Sequence, residues 1–318
     1  MKEQVCFLLP RLFSIKIYLS FNLVSYHQKA IELHEDTSQV DPEAAANCAI
    51  TTARFCVSQG QVNEALDHLK RALHIQQQYF LSNNPELATT YSLIAITYYE
   101  QNQYENALSH RLKALDIQIN SLSNDHPSIG ETYFDISKDY VGLKHWFDAL
   151  EYGLKAIEQI KKSQQTDIET LLSYIDHVAD IYCQRNEYEK ALIHYRDALA
   201  LSRNYLPDDD GLFIKRYYLI GKTSYKLERY EDALEFYQKT LNIELKILSD
   251  DDKTIATTYS NISESYLHLN QFDDALDAAY QARDQLLKTL SYDDSEVLEI
   301  EDTLDNIKRS KRSQQART

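Results

Sequence analysis

Six glycines and five prolines among 318 residues fall far below the roughly 12% that the pair ordinarily makes up. That scarcity excludes a collagenous chain, a many-turned all-β sandwich and a Gly/Ser-rich disordered chain, and predicts long, unpunctuated helices. With 43% hydrophobic residues and 24 tyrosines the chain can build a core, and its net charge of −16 disfavours non-specific binding to nucleic acid or an anionic membrane.

The chain opens on an apolar run, Val5-Cys-Phe-Leu-Leu-Pro, interrupted by Pro10, Arg11 and Lys16. A small-x-small cleavage site does not follow it, and no stretch of about 18 uncharged apolar residues occurs anywhere. Neither a spanning helix nor a strong secretory signal is expected, and a cytoplasmic location is. Ser25 to Thr37 reads as the lone second helix of a partial repeat, so 1–45 stands apart as an irregular N-terminal segment.

From residue 46 to 297 the sequence repeats. Ala-Leu recurs at Ala65, Ala107, Ala149, Ala191, Ala233 and Ala275, every interval being 42 residues. Three positions before each alanine stands Val62, Tyr104, Trp146, Tyr188, Tyr230 or Phe272, and seven after it stands Ala72, Ala114, Ala156, Ala198, Thr240 or Ala282. Within a unit, Tyr91, Ile94, Ala95 and Tyr98 follow helical spacing, a polar break spans Glu100 to Gln103, and Tyr104, Ala107, Leu108, Ala114 and Leu115 follow helical spacing again. Six 42-residue helical hairpins are therefore predicted. Small residues at Ala53, Ala95, Ser137, Ala179, Gly221 and Ser263 mark where paired helices approach too closely for a bulky side chain.

Helix starts lie between the units. Asn83-Asn84-Pro85-Glu86 and Asn124-Asp125-His126-Pro127 place cap residues before a first-turn proline. Pro207 to Asp210, Asp250 to Lys253 and Asp293 to Ser295 supply acids for the positive end of a helix dipole. These acid runs lack the glycine and distal Glu of a calcium loop. The last segment, 298–318, completes a capping helix over Glu296 to Lys311, with Val297, Leu298, Ile300, Leu304 and Ile307 on its apolar side. It ends in a basic tail, Lys308, Arg309, Lys311, Arg312 and Arg317, that reads as a solvated terminus or a contact for an acidic partner.

The units resemble tetratricopeptide repeats. The unit from Leu172 carries the pattern through Val178, Ala179, Tyr182, Ala191, Tyr195 and Ala198, and the unit from Ile214 through Tyr217, Ile220, Gly221, Ala233 and Tyr237. Departures are Ala49 and Thr52, Ser224 where Tyr is usual, and Arg111, Gly153 and Ala279 at the second aromatic position. The 42-residue period, Leu122-Ser-Asn-Asp-His-Pro127 and Tyr259 to Tyr266 look like the kinesin light chain and nephrocystin type, and the resemblance covers about 80% of the chain. It implies an all-α, right-handed α-solenoid of antiparallel hairpins that binds a peptide or protein in a concave groove. The heptad segment that would join a light chain to a motor heavy chain is not visible.

Chemistry is sparse. The glycines are isolated, no phosphate loop, His-Glu-x-x-His or Gly-x-Ser-x-Gly occurs, and Cys6, Cys48, Cys56 and Cys183 lack metal spacing and read as free thiols. Asp176, His177, Asp180 and Cys183 form a candidate ligand set on one helix, and Asn261-Ile-Ser263 a chance glycosylation match. No catalytic residue, cofactor or metal is expected.

If the first helix of each unit faces inward, as the resemblance implies, the unit from Ile214 presents Lys215, Tyr218, Lys222, Tyr225 and Lys226. Their spacing i, i+3, i+7, i+10, i+11 puts all five on one helix face. Neighbouring units present Lys138 with Glu131 and Asp135, and then Asp176 and Asp180. The lysines are candidates to pair with carboxylates of an acidic, extended peptide while the tyrosines supply flat contact; the alternative is a solvated face whose lysines balance the adjacent acids. The inward set Ile50, Arg54, Leu93, Glu131 and Asp135 does not reproduce the two-carboxylate clamp of the family's chaperone-binding members. The function expected is a non-catalytic interaction adaptor; the alternative is a regulatory or sensor fragment of a larger enzyme.

Overall fold

The computed structural model describes residues 42–163, 167–205, 207, 211–249 and 251–316. The expected partial helix Ser25–Thr37, Cys6, Asp208 to Asp210 and Arg317 lie outside these residues. The described residues form thirteen α-helices and no strand. In chain order they are α1 (Pro42–Ser58), α2 (Val62–Tyr79), α3 (Pro85–Glu100), α4 (Tyr104–Ser121), α5 (Pro127–Gly142), α6 (Trp146–Lys162), α7 (Ile168–Gln184), α8 (Tyr188–Arg203), α9 (Leu212–Lys226), α10 (Tyr230–Ile247), α11 (Lys253–His268), α12 (Phe272–Leu286) and α13 (Ser295–Gln315). None is long and apolar enough to cross a membrane.

Each odd-numbered helix from α1 to α11 pairs with its successor in a hairpin, and one backbone device closes all six. The second-last residue of each connection is in the left-handed region: Gly60 at φ 75°, then Asn102, Lys144, Asn186, Glu228 and Asn270 at 57° to 60°. These positions are 42 residues apart. The left-handed residue donates its N–H three residues back and the next residue donates five back, as in Asn102 to Tyr99 (2.8 Å) and Gln103 to Tyr98 (2.9 Å). Carbonyls orphaned at the end of the first helix are thereby satisfied while the chain reverses.

The small residues lie where close approach was expected. Ala53, Ala95, Ser137, Ala179, Gly221 and Ser263 are all buried. Both serines use their hydroxyl across the hairpin: Ser137 Oγ donates to the Ala149 carbonyl (2.6 Å) and Ser263 Oγ to that of Ala275 (2.7 Å). A polar atom in a core costs little when it reaches such an acceptor.

Caps between hairpins follow the acids and amides. Asn84, Asp252 and Asp294 accept from the N–H of Glu86 (2.9 Å), Thr254 (2.9 Å) and Glu296 (3.1 Å). The Thr254 N–H and hydroxyl hold the Asp252 carboxyl below its ordinary range. At α5 the cap is His126, whose Nδ1 accepts from the Ser128 N–H at 3.3 Å, rather than Asn124 or Asp125. Helix α9 starts from Gly211 without a side-chain cap.

The chain divides into two compact units, Met1–Thr166 and Asp167–Thr318. In the first, α2 packs on α3 and α4 on α5, so the second helix of each hairpin covers the first of the next. The same relation holds in the second unit for α8 on α9, α10 on α11 and α12 on α13. Val297, Ile300, Leu304 and Ile307 of α13 join Phe272, Ala275 and Ala282 in one core cluster. Leu298, expected on that stripe, instead faces solvent with 51% of its surface exposed, because it falls off the i, i+3, i+7, i+10 row. Of the basic tail, Lys308 pairs with Asp305 (3.5 Å) and Lys311 with Asp273 of α12.

Candidate functional site

In the second unit α7, α9 and α11 are the first helices of successive hairpins, and α9 carries five of the six residues singled out from the sequence. Lys215, Lys222 and Lys226 are exposed; Tyr218 and Tyr225 are half-buried. The five share a face of α9 but open into different surroundings.

Lys222 and Lys226, one turn apart, line a cleft of about 480 Å³ with Asp180, Tyr188, Tyr195 and Thr223. Lys215 and Tyr218 line a second hollow of about 440 Å³ with Ile214, Glu244, Leu248 and Thr258. Tyr225 lines neither. It packs edge-on against Tyr230 (5.4 Å between ring centroids) and His268 (5.5 Å), and burial together with Glu264 pushes its hydroxyl up to about 12. Tyr218 leans on Tyr237 at 5.9 Å.

The acids beside this face have partners of their own within the fold. Asp176, expected at the surface, is buried, 3.4 Å from Arg216 of α9. Arg216 immediately follows Lys215 and turns inward, which draws the carboxylate with it. Burial raises the Asp176 carboxyl, and the Arg216 charge opposes the rise. Asp180 accepts a hydrogen bond from the Tyr195 hydroxyl, which burial and that carboxylate drive far above the ordinary phenol range. Cys183 lies 3.9 Å from the Tyr195 hydroxyl and 3.8 Å from Thr223 Oγ1, and burial holds its thiol protonated. The ligand set suggested for this helix is thus dispersed: Asp176 turns to Arg216 and Asp180 to Tyr195.

None of Lys215, Lys222 and Lys226 has an ion-pair partner within 4 Å among the described residues. Lys138, in the first unit, differs. Its Nζ is 2.6 Å from Asp135 and lies over the rings of Phe134 (5.0 Å) and Tyr99 (5.8 Å).

Sequence reasoning missed Glu244, which forms part of the second hollow's wall. It sits on the α10 row of Ala233, Tyr237 and Thr240, the helix's core face, so its signal was a carboxylate at core spacing. Burial pushes it up to about 7.

The tetratricopeptide repeat model matches residues 45–110, 86–162 and 214–288, and a second tetratricopeptide repeat model matches 171–210. No curated protein matches the sequence. Among solved structures the fold is similar to a signal transduction ATPase with a tetratricopeptide repeat sensor from Pyrococcus horikoshii. That match has TM-score 0.66 and 22% identity, covering 85% of this chain and 40% of that one. It is similar also to the apo form of RapI (TM-score 0.68, 15% identity, 86% and 78% covered). A third is the apo quorum sensor NprR from B. thuringiensis (TM-score 0.58, 16% identity, 88% and 79% covered). This chain spans less than half the length of the Pyrococcus ATPase and shares with all three the fold. With family models matching more than half of its residues in the register of its hairpins, the chain belongs to the tetratricopeptide repeat family.

Proposed function

We propose that the α9 face of the second unit binds an acidic, extended segment of a protein partner, and that the chain is a non-catalytic adaptor. The observation that carries this reading is the imbalance on that face. Asp176 and Asp180 are occupied by Arg216 and Tyr195, while Lys222 and Lys226 stand exposed on one cleft. Neither acid is within ion-pairing distance of Lys222 or Lys226, so a ligand carboxylate can pair with their ammonium groups directly. Tyr218 adds apolar contact in the neighbouring hollow, and Lys215 a further cation at its rim. In this reading Lys138, held by Asp135, contributes little, and Tyr225 supports the face from within.

Peptide-array binding tests it. Acidic peptides should bind, Lys222→Glu with Lys226→Glu should weaken them at least tenfold, and raising salt should weaken the intact chain as well. Binding that survives the double variant unchanged would sink the assignment. The finer form, a kinesin light chain-like adaptor in the cytoplasm, is supported by the unbroken 42-residue register. It predicts that the bound segment belongs to a cargo protein.

A second reading, a sensor part of a larger regulated enzyme, is favoured by the similarity of fold to 40% of a Pyrococcus ATPase that carries a tetratricopeptide repeat sensor. Reading the genomic frame beyond both ends separates the two: a catalytic domain in frame supports the sensor.

A further inference from the structure

In the first hairpin three side chains of different donor type converge where the next three hairpins place a tyrosine ring. Cys56 closes the last turn of α1, and Glu64 and His68 stand one turn apart at the start of α2. The Cys56 thiol, a Glu64 carboxylate oxygen and a ring nitrogen of His68 all lie within 4.8 Å of one another. Cys56 and His68 are buried, at 0% and 5% exposure, and Glu64 is exposed at the rim.

The register shows how this place differs from the three hairpins that follow it. At the positions 42 and 84 residues after Cys56 and His68 stand Tyr98 with His110 and Tyr140 with Tyr152, at ring-centroid distances of 5.4 and 5.5 Å. One repeat further, Tyr182 stacks on His194 at 5.3 Å. A tyrosine ring therefore fills the space against residue 68 in those hairpins. With a thiol in its place the imidazole approaches sulfur instead, and both lie within 4.8 Å of a Glu64 carboxylate oxygen.

We propose that Cys56, Glu64 and His68 bind one Zn²⁺ ion at the mouth of the first hairpin. A thiolate, an imidazole and a carboxylate are the donor types zinc takes, whereas calcium and magnesium require all-oxygen shells. Bond lengths of about 2.0 to 2.3 Å place tetrahedral ligands roughly 3.3 to 3.8 Å apart, so modest side-chain rotation closes the present triangle. On binding, the Cys56 thiol gives its proton to solvent as the sulfur–zinc bond forms, the neutral imidazole donates one nitrogen lone pair, and Glu64 gives one oxygen. The two anionic ligands cancel the charge of the ion, and water completes the shell. Because the ligands span α1 and α2 across the turn at Gly60, the ion would clasp the hairpin.

Cobalt titration of the full chain tests this. One Co²⁺ should bind per chain with a thiolate-to-cobalt charge-transfer band in the near ultraviolet and tetrahedral visible bands, and Zn²⁺ should displace it stoichiometrically. Cys56→Ala should abolish the charge-transfer band. Glu64→Gln, a rim change that leaves the helical circular dichroism intact, should weaken Co²⁺ binding at least tenfold. An intact chain without the thiolate band, a band retained at full intensity in Cys56→Ala, or unchanged affinity in Glu64→Gln would each overturn the assignment.

Discussion

Arg111 Nη1 lies 2.5 Å from Asp139 Oδ1, joining two residues that are almost wholly excluded from solvent. The same nitrogen donates to the Asp135 carbonyl at 2.8 Å, and the guanidinium lies 5.3 Å from the Tyr99 ring centre. Arg111 stands where the repeat usually places an aromatic side chain, and its register partners Tyr195 and Tyr237 are buried tyrosines. Asp139 is the counterpart of Thr223. An ion pair between two successive hairpins thus substitutes for a ring and a hydroxyl at the corresponding places of a later pair. Removing one buried charge strands the other, so Arg111→Leu should destabilise the first unit by about 3–5 kcal/mol in urea unfolding. Arg111→Tyr combined with Asp139→Thr should recover most of that loss; a double variant as unstable as the single one would contradict the substitution.

The hairpin turns make a second prediction. Lys144 and Glu228 occupy the left-handed backbone region that Gly60 fills in the first hairpin and that asparagine tolerates in three others. Lys144→Gly and Glu228→Gly should each raise stability by about 0.5–1 kcal/mol, as relief of strain outweighs the added chain entropy. Asn102→Gly should change it little, and Gly60→Ala should lower it. Thermal melts of the four variants read the order directly, and a loss of stability in both Lys144→Gly and Glu228→Gly would refute it.

The hairpins and the shared face of Lys215, Tyr218, Lys222, Tyr225 and Lys226 could be read from the sequence, because both depend on spacing along one helix. What that face meets could not, since it depends on a neighbouring helix. Asp176 is turned inward by Arg216, a residue 40 positions away; spacing along α7 carries no trace of it. The two hollows that divide the α9 residues arise the same way, from α7 and α8 on one side and α10 and α11 on the other. Cys56 and His68 approach only because the turn at Gly60 folds α2 back, so metal-ligand spacing within one helix did not reveal them. The left-handed positions do not stand out as a set, because Lys144 and Glu228, which are not turn formers, break the series of Gly60 and the three asparagines.

Glu244 supplies a pH-dependent term of definite sign. Burial pushes its folded-state value to about 7 from an ordinary 4.5, opposed by the neighbouring Thr258. Below the ordinary value both folded and unfolded chains hold the proton, and the stability associated with this group is fully present. As pH rises through about 7 the unfolded chain has already released the proton and the folded one follows, so stability is lost across that window, by about 3 kcal/mol in all. Glu244→Gln should match the native chain near pH 4.5 and exceed it in stability at pH 8. Guanidinium unfolding at both values checks this; equal stability of the two chains at pH 8 would show that Glu244 stays ionised at no cost.

Two helical glycines that look alike in sequence should behave oppositely. A methyl group added at Gly221 would stand 2.9 Å from two ring carbons of Tyr237 and 3.3 Å from the Ala233 carbonyl oxygen, all on α10. Tyr237 is fully buried and the third obstructing atom is backbone, so neither neighbour can withdraw cheaply. Gly221→Ala should therefore cost about 1–3 kcal/mol through overpacking, despite alanine's better helix propensity. At Gly130 the nearest atom to the added group is Cγ of Gln159, at 3.4 Å, with the Ile160 backbone no closer than 3.6 Å. That is ordinary contact with a flexible side chain. Gly130→Ala should gain up to about 1 kcal/mol, the propensity difference between the two residues in a helix. Because α9 lies between the two clefts, Gly221→Ala should also weaken capture of acidic peptides, whereas Gly130→Ala should not. A Gly221→Ala chain as stable as the native one would mean that α9 and α10 are not in the close contact that the small-residue register prescribes.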